Sequence, residues 1–118
     1  MEPIRSQGTD ARLEKVQRAF ELIRLMDREM PGQVVSCFLY VASHNGCHKQ
    51  AMEQELGLTT ASSSRNTDIL SKGRPGRTTE GLDLIVKDVD QENRRRQVLT
   101  LTPRGMALAQ QMKSLIFD

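Results

Sequence analysis

The sequence predicts a mainly helical domain that carries one small β-hairpin. Three observations support this fold class. Apolar residues recur at helical spacing in several separate stretches, two short segments in the C-terminal half alternate apolar and polar residues, and a charged turn joins these two segments. With 118 residues, of which 37% are hydrophobic and 27% charged, the chain has the size and composition of one folded domain.

The N-terminal part divides into a tail and a first helix. Residues 1–8 have no periodicity and are predicted to be a flexible tail, so residues 9–118 form the single domain. The first helix is predicted from Thr9 or Asp10 to about Asp27. Its apolar face holds Leu13, Val16, Phe20 and Ile23. This face is wider than a short domain alone covers, so either a subunit interface or the chain's own last helix should cover it.

A second helix follows the break at residues 30–32. Pro31 suits its first turn because the N–H that proline lacks is not needed there. Its predicted core face holds Val35, Phe38, Leu39 and Ala42. Asn45-Gly46 can end the helix, since both residues tolerate the left-handed conformation. Cys47-His48 is then expected to be a short extended link.

Residues 49–70 show the pattern of two short helices joined by a tight turn. In the first helix Ala51, Met52 and Leu56 share one face, and we expect its Glu and Gln residues to point away from that face. Gly57-Leu58 supplies the turn, and Thr59 or Thr60 can cap the second helix. Helix, tight turn and capped helix together form a helix-turn-helix motif.

The second helix of this motif has a surface suited to DNA. Arg65 could bond both O6 and N7 of a guanine, and Asn66 could read an adenine. Thr60, Ser62 and Ser64 are better suited to phosphates, which position a helix without reading sequence. The alternative for Arg65 is a surface ion pair with Asp68.

A loop is predicted at residues 71–81, because Gly and Pro recur there. Its basic residues are Lys72, Arg74 and Arg77. They form either an arm that grips phosphates or a solvated connector, and the sequence does not decide between the two.

Residues 82–102 are predicted to form the hairpin. Leu82, Leu84 and Val86 alternate with polar residues, with Ile85 as the exception, and a second strand carries Leu99 and Leu101. Asp90 to Asn93 form the turn. The arginines Arg94, Arg95 and Arg96 follow it; they either contact phosphates or form a solvated strand end, and in an alternating strand at most two share a face.

The last helix is predicted to begin at Thr102-Pro103, which supply a cap and a first-turn proline. Its apolar face holds Leu108, Met112 and Leu115.

In this order of elements the chain resembles the winged helix-turn-helix of the multiple-antibiotic-resistance regulator (MarR) family. The resemblance rests on residues 52–59 (MEQELGLT) and, more specifically, on residues 98–105 (VLTLTPRG) with the charged turn before them. It implies a homodimeric transcription factor that binds double-stranded DNA. The recognition helix, residues 59–71, would enter the major groove, and the wing, residues 82–102, would lie near the minor groove.

The sequence departs from the family's pattern at several positions. Glu92 falls where the wing tip usually has an arginine, and Asn93 falls where an acid is common. Ser63 and Thr67 stand where apolar residues usually face the core, which suggests loose packing of the recognition helix until DNA binds. Since the sequence ends at Asp118, the dimer should rest on the first and last helices.

Other classes of function receive little support from the sequence. The net charge of +2 does not by itself imply nucleic acid, and no run is apolar enough to cross a membrane, so we expect a cytoplasmic protein. Cys37, His44, Cys47 and His48 lack the spacing of a zinc site, so no metal or cofactor is expected, although a disulfide stays open. An enzyme is not expected, because the histidines have no partner at motif spacing.

Three hypotheses remain. The first is a sequence-specific dimeric repressor, with a small-molecule effector as an open option. The second is a winged helix that binds DNA through phosphates, as an architectural or replication accessory protein of a mobile element, and the third is a winged helix used for protein contact. Arg65 and its neighbouring hydroxyls favour the first. The operator, the regulated genes and the sign of regulation cannot be read from the sequence.

Overall fold

A computed structural model describes residues 8–73 and 81–118. The elements in chain order are α1 (Ala11–Arg24), α2 (Gly32–Ser43), β1 (Cys47–His48), α3 (Lys49–Leu56), α4 (Thr60–Leu70), β2 (Ile85–Val89), β3 (Gln97–Leu101) and α5 (Pro103–Phe117). This confirms the predicted mainly helical fold with its hairpin. The predicted tail lies outside the described residues except at Gly8, and so does most of the predicted loop, including Arg74 and Arg77.

The hairpin belongs to a three-stranded antiparallel sheet of order β1-β3-β2. Strands β2 and β3 pair with Ile85 opposite Leu101, and β1 adds Cys47 opposite Leu99. The sequence predicted an extended link at β1 but not its pairing. A strand of two residues has no periodicity of its own, so the partner strand alone defines it.

The core centres on α2, whose buried residues are Val34, Val35, Cys37, Phe38 and Val41. The prediction of Val35 and Phe38 is confirmed. Leu39, however, is exposed and Ala42 is half-buried, so the buried face is rotated toward Val34 and Cys37. The sequence missed this because the apolar side of α2 extends from Cys37 round to Leu39 and is wider than the face that the core covers, so periodicity alone does not decide which edge is buried.

Strand β2 begins later than predicted and shows a different face to the core. Asp83 has a φ of 56°, in the left-handed region, and this residue interrupts the extended chain. As a result Leu84 and Ile85 are both buried although they are neighbours, and Val86 is exposed. The predicted alternation of Leu82, Leu84 and Val86 was therefore wrong. Within β2, Ile85 and not Val86 faces the core.

The junction from β3 to α5 explains the Leu-Thr-Pro-x-Gly segment. The Thr102 hydroxyl donates to the carbonyl of Asp83 at 2.7 Å and accepts the N–H of Gly105 at 3.0 Å, while the Thr102 N–H donates to the carbonyl of Leu84 at 3.0 Å. Thr102 thus caps α5, as predicted, and ties it to the start of β2. The predicted inward residues Leu108 and Met112 are buried.

Helix α1 packs mainly on α5, one of the two alternatives from the sequence. Asp10 caps it, and it ends at Arg24, three residues before the predicted end. Ala19 and Ile23 are buried. The rest of the predicted apolar face is exposed in the single chain: Leu13 by 67%, Val16 by 48% and Phe20 by 45%. Packing on α5 therefore covers only one edge of this face.

Candidate nucleic-acid interface

Helices α3 and α4 form the predicted helix-turn-helix. Gly57 ends α3 in the left-handed conformation with a φ of 65°, and the N–H of Leu58 donates to the carbonyl of Glu53 at 2.9 Å. Thr59 then caps α4, since its hydroxyl accepts the N–H of Ser62 at 3.1 Å. The tight turn and the threonine cap fix the residue at which α4 begins and therefore which of its side chains face outward.

The outward face of α4 carries Arg65. This side chain is exposed, and its guanidinium lies 3.4 Å from the hydroxyl of Ser62. The sequence left open an ion pair between Arg65 and Asp68. In the structure Asp68 instead pairs with Lys87 of β2, whose ammonium donates to its carboxylate. Arg65 is thus presented to solvent with one weak side-chain contact among residues 8–73 and 81–118, a geometry that leaves its guanidinium available to a ligand.

The polar residues around Arg65 differ in exposure. Thr60 is exposed at the first turn, and Ser62 and Ser64 are half-buried on the flanks of the outward face. Lys72, just after the helix, is also exposed. Ser62 and Ser64 therefore flank Arg65 on α4, whereas Thr60 lies at the helix start and Lys72 after its end. Arg74 and Arg77 lie outside the described residues.

Asn66 does not lie on this outward surface. It is 7% exposed, and its amide N–H donates to the side-chain oxygen of Gln33 in α2 at 3.1 Å. Its position agrees with a role in holding α4 to α2 and contradicts the prediction that it reads an adenine. At 100° per residue Asn66 lies 100° around α4 from Arg65, on the side of the buried Ser63 and Leu70, which its place next to Arg65 in the sequence does not reveal.

The inward face of α4 is polar at Ser63 and Thr67, both of them buried. The Thr67 hydroxyl donates to the carbonyl of Ser63 at 2.7 Å, and the Ser63 hydroxyl donates to the carboxylate of Glu53. Among the described side chains, no buried nitrogen or oxygen atom lacks a hydrogen-bond partner. The two hydroxyls are thus satisfied inside the fold, at the positions where the resemblance led us to expect loose packing.

Glu53 does not point away from the core, contrary to the prediction for the Glu and Gln residues of α3. Its carboxylate accepts from the ammonium of Lys49 at 2.8 Å as well as from Ser63. Burial acts to raise the pKa of Glu53, but the hydrogen bonds from Lys49 and Ser63 and the positive charge of Lys49 outweigh it and hold the pKa below its usual value. Sequence spacing gave one usable signal, the i, i+4 relation of Lys49 and Glu53.

The turn of the wing presents three arginines. Arg94, Arg95 and Arg96 are exposed and precede β3, which begins at Gln97. The expectation that an alternating strand limits them to two on one face was therefore wrong, because they lie in the turn. The N–H of Asp90 donates to the carbonyl of Arg96 at 2.9 Å and closes this turn, which also exposes Glu92.

A hydrogen-bonded pair links the turn of the wing to the helix-turn-helix. Nε2 of His48, the residue that precedes α3, lies 2.9 Å from Oδ2 of Asp90. The N–H of Glu92 and then the bond to His48 hold the pKa of the Asp90 carboxyl below its usual range. A second pair, Lys87 with Asp68, joins β2 to α4. The wing is thus tied by side chains to both helices of the motif.

The cysteines form no site in the described part of the chain. Cys37 is buried and Cys47 half-buried, both are free thiols, and burial raises the pKa of each. Within residues 8–73 and 81–118, no group of three or more His, Cys, Asp or Glu residues could hold a metal ion. No helix in these ranges is long and apolar enough to cross a membrane.

No family model matches the sequence, and no curated protein matches it either. Solved structures do match it. The Staphylococcus aureus MepR–DNA complex has a TM-score of 0.68 at 21% identity, covering 87% of this chain and 76% of that one. MarR has a TM-score of 0.62 at 17% identity, covering 96% and 74%. The transcriptional repressor CouR, bound to a 23-mer DNA duplex, has a TM-score of 0.59 at 23% identity, covering 90% and 67%.

These identities are low, so the likeness concerns the fold. It extends over 87% of this chain for MepR and 96% for MarR. The chain has the winged helix-turn-helix fold of MarR-type regulators.

Proposed function

We propose that the chain is a homodimeric transcriptional regulator that binds double-stranded DNA in a sequence-specific manner. The observation that carries this proposal is the outward face of α4, where an exposed Arg65 stands among hydroxyls on a capped helix of a helix-turn-helix. A guanidinium in that position can bond a guanine edge in the major groove, and Thr60, Ser62 and Ser64 can bond the adjacent phosphates.

The wing would contribute phosphate contacts that are independent of sequence. Arg94, Arg95 and Arg96 are exposed in one turn, so their charges can approach the backbone beside the minor groove. Glu92 in the same turn opposes such contact, while Asp90 is already paired with His48. We therefore assign the wing to affinity and α4 to base preference, with Lys72 as a further phosphate contact.

The dimer is supported by the uncovered apolar face of α1. Leu13, Val16 and Phe20 lie within one face of a helix that turns 100° per residue, and all three are exposed in the single chain. Phe117 at the end of α5, the helix on which α1 packs, is exposed by 77%. A second copy of the chain is the occupant we propose for this surface, because a two-fold dimer would present two copies of α4 to successive major grooves.

We further propose that the bound protein represses transcription. Support comes from the structural neighbour described as a transcriptional repressor. Repression would follow from simple occupancy of a site that overlaps a promoter.

Selection of bound sequences from a randomised duplex pool at near-physiological salt tests the proposal. We expect enrichment of an inverted repeat whose half-sites lie about one helical turn apart. Binding without enrichment would contradict sequence-specific recognition and favour an accessory role that depends on phosphates. Absence of binding at low salt would contradict DNA binding itself and favour the use of the winged helix for protein contact.

A further inference from the structure

A cluster of three polar side chains lies at the joint between the two helices of the motif. Glu53 of α3 accepts hydrogen bonds from Lys49, one turn earlier in the same helix, and from Ser63 of α4. The side chains of Lys49 and Glu53 are only 8% and 13% exposed. An ion pair is therefore placed where helices of globular proteins ordinarily pack through apolar side chains.

The inward face of α4 offers little apolar surface to replace this cluster. Its buried residues are Ser63, Asn66, Thr67 and Leu70, of which Leu70 alone is a large apolar residue. Asn66 is bonded to Gln33 of α2, and Thr67 is bonded within α4. Apolar burial stabilises roughly in proportion to the area removed from water, so α4 is held by less of it than a leucine-rich helix would be.

The cluster differs from apolar packing in its dependence on geometry. Burying a charge costs free energy unless a partner and hydrogen bonds compensate it, so loss of the Glu53 charge would leave the Lys49 ammonium buried without a counter-ion. Hydrogen bonds are directional, whereas hydrophobic contact is not. The bond from Ser63 to Glu53 therefore restricts how α4 can turn or shift on α3.

We propose that Glu53 is a positioning residue that fixes the recognition helix α4 on α3 through Ser63, with Lys49 as its buried counter-ion. The consequence for DNA recognition rests on the proposed function, but the effect on the position of α4 does not. Because Arg65 stands on the opposite face of α4, an error in the placement of Ser63 on α3 displaces the guanidinium that would meet a base edge.

Hydrogen exchange of the full chain tests the positioning role without DNA. In Glu53→Gln, which keeps the shape and removes the charge, we expect the amides of residues 66–70 in α4 to exchange about tenfold faster, with α5 amides near their original rates. Ser63→Ala is a milder second variant in case Glu53→Gln does not fold, and it should show the same selectivity. Glu55→Gln is the matched control, since Glu55 is exposed on the same helix.

An unchanged exchange rate in α4, or an equal increase in α4 and α5, would overturn the proposal, since the second result indicates a global loss of stability.

The triple variant Lys49→Met, Glu53→Leu, Ser63→Ala provides a further test. Replacing a buried ion pair by apolar residues is often neutral or stabilising. We expect this variant to keep its thermal midpoint but to lose at least about threefold in the ratio of specific to random DNA affinity. Full retention of that ratio would overturn the proposal. If the unmodified chain binds no DNA, the proposed function fails while the exchange result still decides the role of Glu53.

Discussion

His48 and Asp90 join the start of the helix-turn-helix to the turn of the wing. Nε2 of the imidazole and Oδ2 of the carboxylate are 2.9 Å apart, although 42 residues separate them in the sequence. The other oxygen of Asp90 accepts the N–H of Glu92 at 2.9 Å. One carboxylate therefore shapes the turn that carries the wing arginines and attaches this turn to β1 and α3.

Asp90→Asn should loosen the wing turn. The substitution removes the charge that His48 meets and weakens the bond to the Glu92 N–H, so we expect faster hydrogen exchange at the amides of Glu92 and Arg96. Asp88→Asn is the matched control, because Asp88 is an exposed carboxylate on β2 of the same hairpin. Equal effects of the two substitutions would contradict a specific role for Asp90.

The same contact makes the wing sensitive to acid. The pKa of Asp90 is lowered from the ordinary value of 3.8 by the N–H of Glu92 and by His48. A lowered pKa in the folded state gives a contribution to stability that is present above the ordinary value and is lost as the pH falls through the folded value. Exchange at the wing amides should therefore rise below about pH 4 in the wild type. In Asp90→Asn it should already be raised at neutral pH and should lack this step.

Gly105→Ala should destabilise the whole domain. A Cβ at Gly105 would lie well inside van der Waals contact of the Leu84 carbonyl oxygen and 3.2 Å from a methyl carbon of Leu101. The carbonyl is part of the backbone and is held by the N–H of Thr102, so it cannot move without disturbing the junction of β2 and α5. We expect the free energy of unfolding to fall by about 1–3 kcal/mol in urea titrations.

Gly32→Ala is the control for this substitution. Gly32 is the first residue of α2, and nothing lies within 4 Å of a Cβ built there. Alanine should be neutral or slightly stabilising at that position, because it has the higher helix propensity. A loss of stability as large as that of Gly105→Ala would indicate a general intolerance of substitution in the helices.

The order of elements could be predicted from the sequence because its signals are local. Asp10, Thr59 and Thr102 cap their helices, and each is a residue that the sequence offered for that cap. Thr102 was named alone, whereas Asp10 and Thr59 each had a neighbouring residue as the alternative. Gly57 likewise marks the end of α3 by its left-handed conformation. Short-range chemistry of this kind is visible in a single sequence.

The faces and partners of the elements were harder to predict, because they depend on contacts between distant residues. The left-handed Asp83 reverses the expected face of β2, and Asn45, expected only as a helix end, accepts the N–H of Leu101 at 2.8 Å. Glu53 and Asn66 look like surface residues by type, yet each bonds a partner on another helix. Residue type predicts exposure on average, and polar residues that find buried partners are the exceptions.

Phe20→Asp should dissociate the proposed dimer without unfolding the chain. Phe20 is 45% exposed in the single chain, so a carboxylate there reaches water in the monomer but would be buried without a partner in a dimer interface. We expect sedimentation equilibrium to show dimerisation weakened by about 2 kcal/mol or more. Circular dichroism should show an unchanged fold.

Two further substitutions separate an interface from the core. Leu25→Asp is the matched control, because Leu25 is 80% exposed at the end of α1 and lies off the apolar face, so the dimer should persist. Leu108, which the sequence allowed as an interface position, is 4% exposed within the chain, so Leu108→Asp should unfold it. A dimer of unchanged affinity in Phe20→Asp would refute the placement of the interface on α1.

Arg65→Ala and Arg95→Ala should affect DNA binding in different ways. Arg65 stands on the outward face of α4, where loss of a bidentate contact to guanine removes about 1–3 kcal/mol of discrimination between specific and random duplexes. Arg95 lies in the wing turn, so its loss should weaken binding to all duplexes alike and reduce the slope of log affinity against log salt by about one. Titrations of both duplexes at several salt concentrations measure both quantities. If the two variants behaved identically on specific and random DNA, α4 and the wing would not divide base reading from phosphate binding, and Arg65 would be one more phosphate contact.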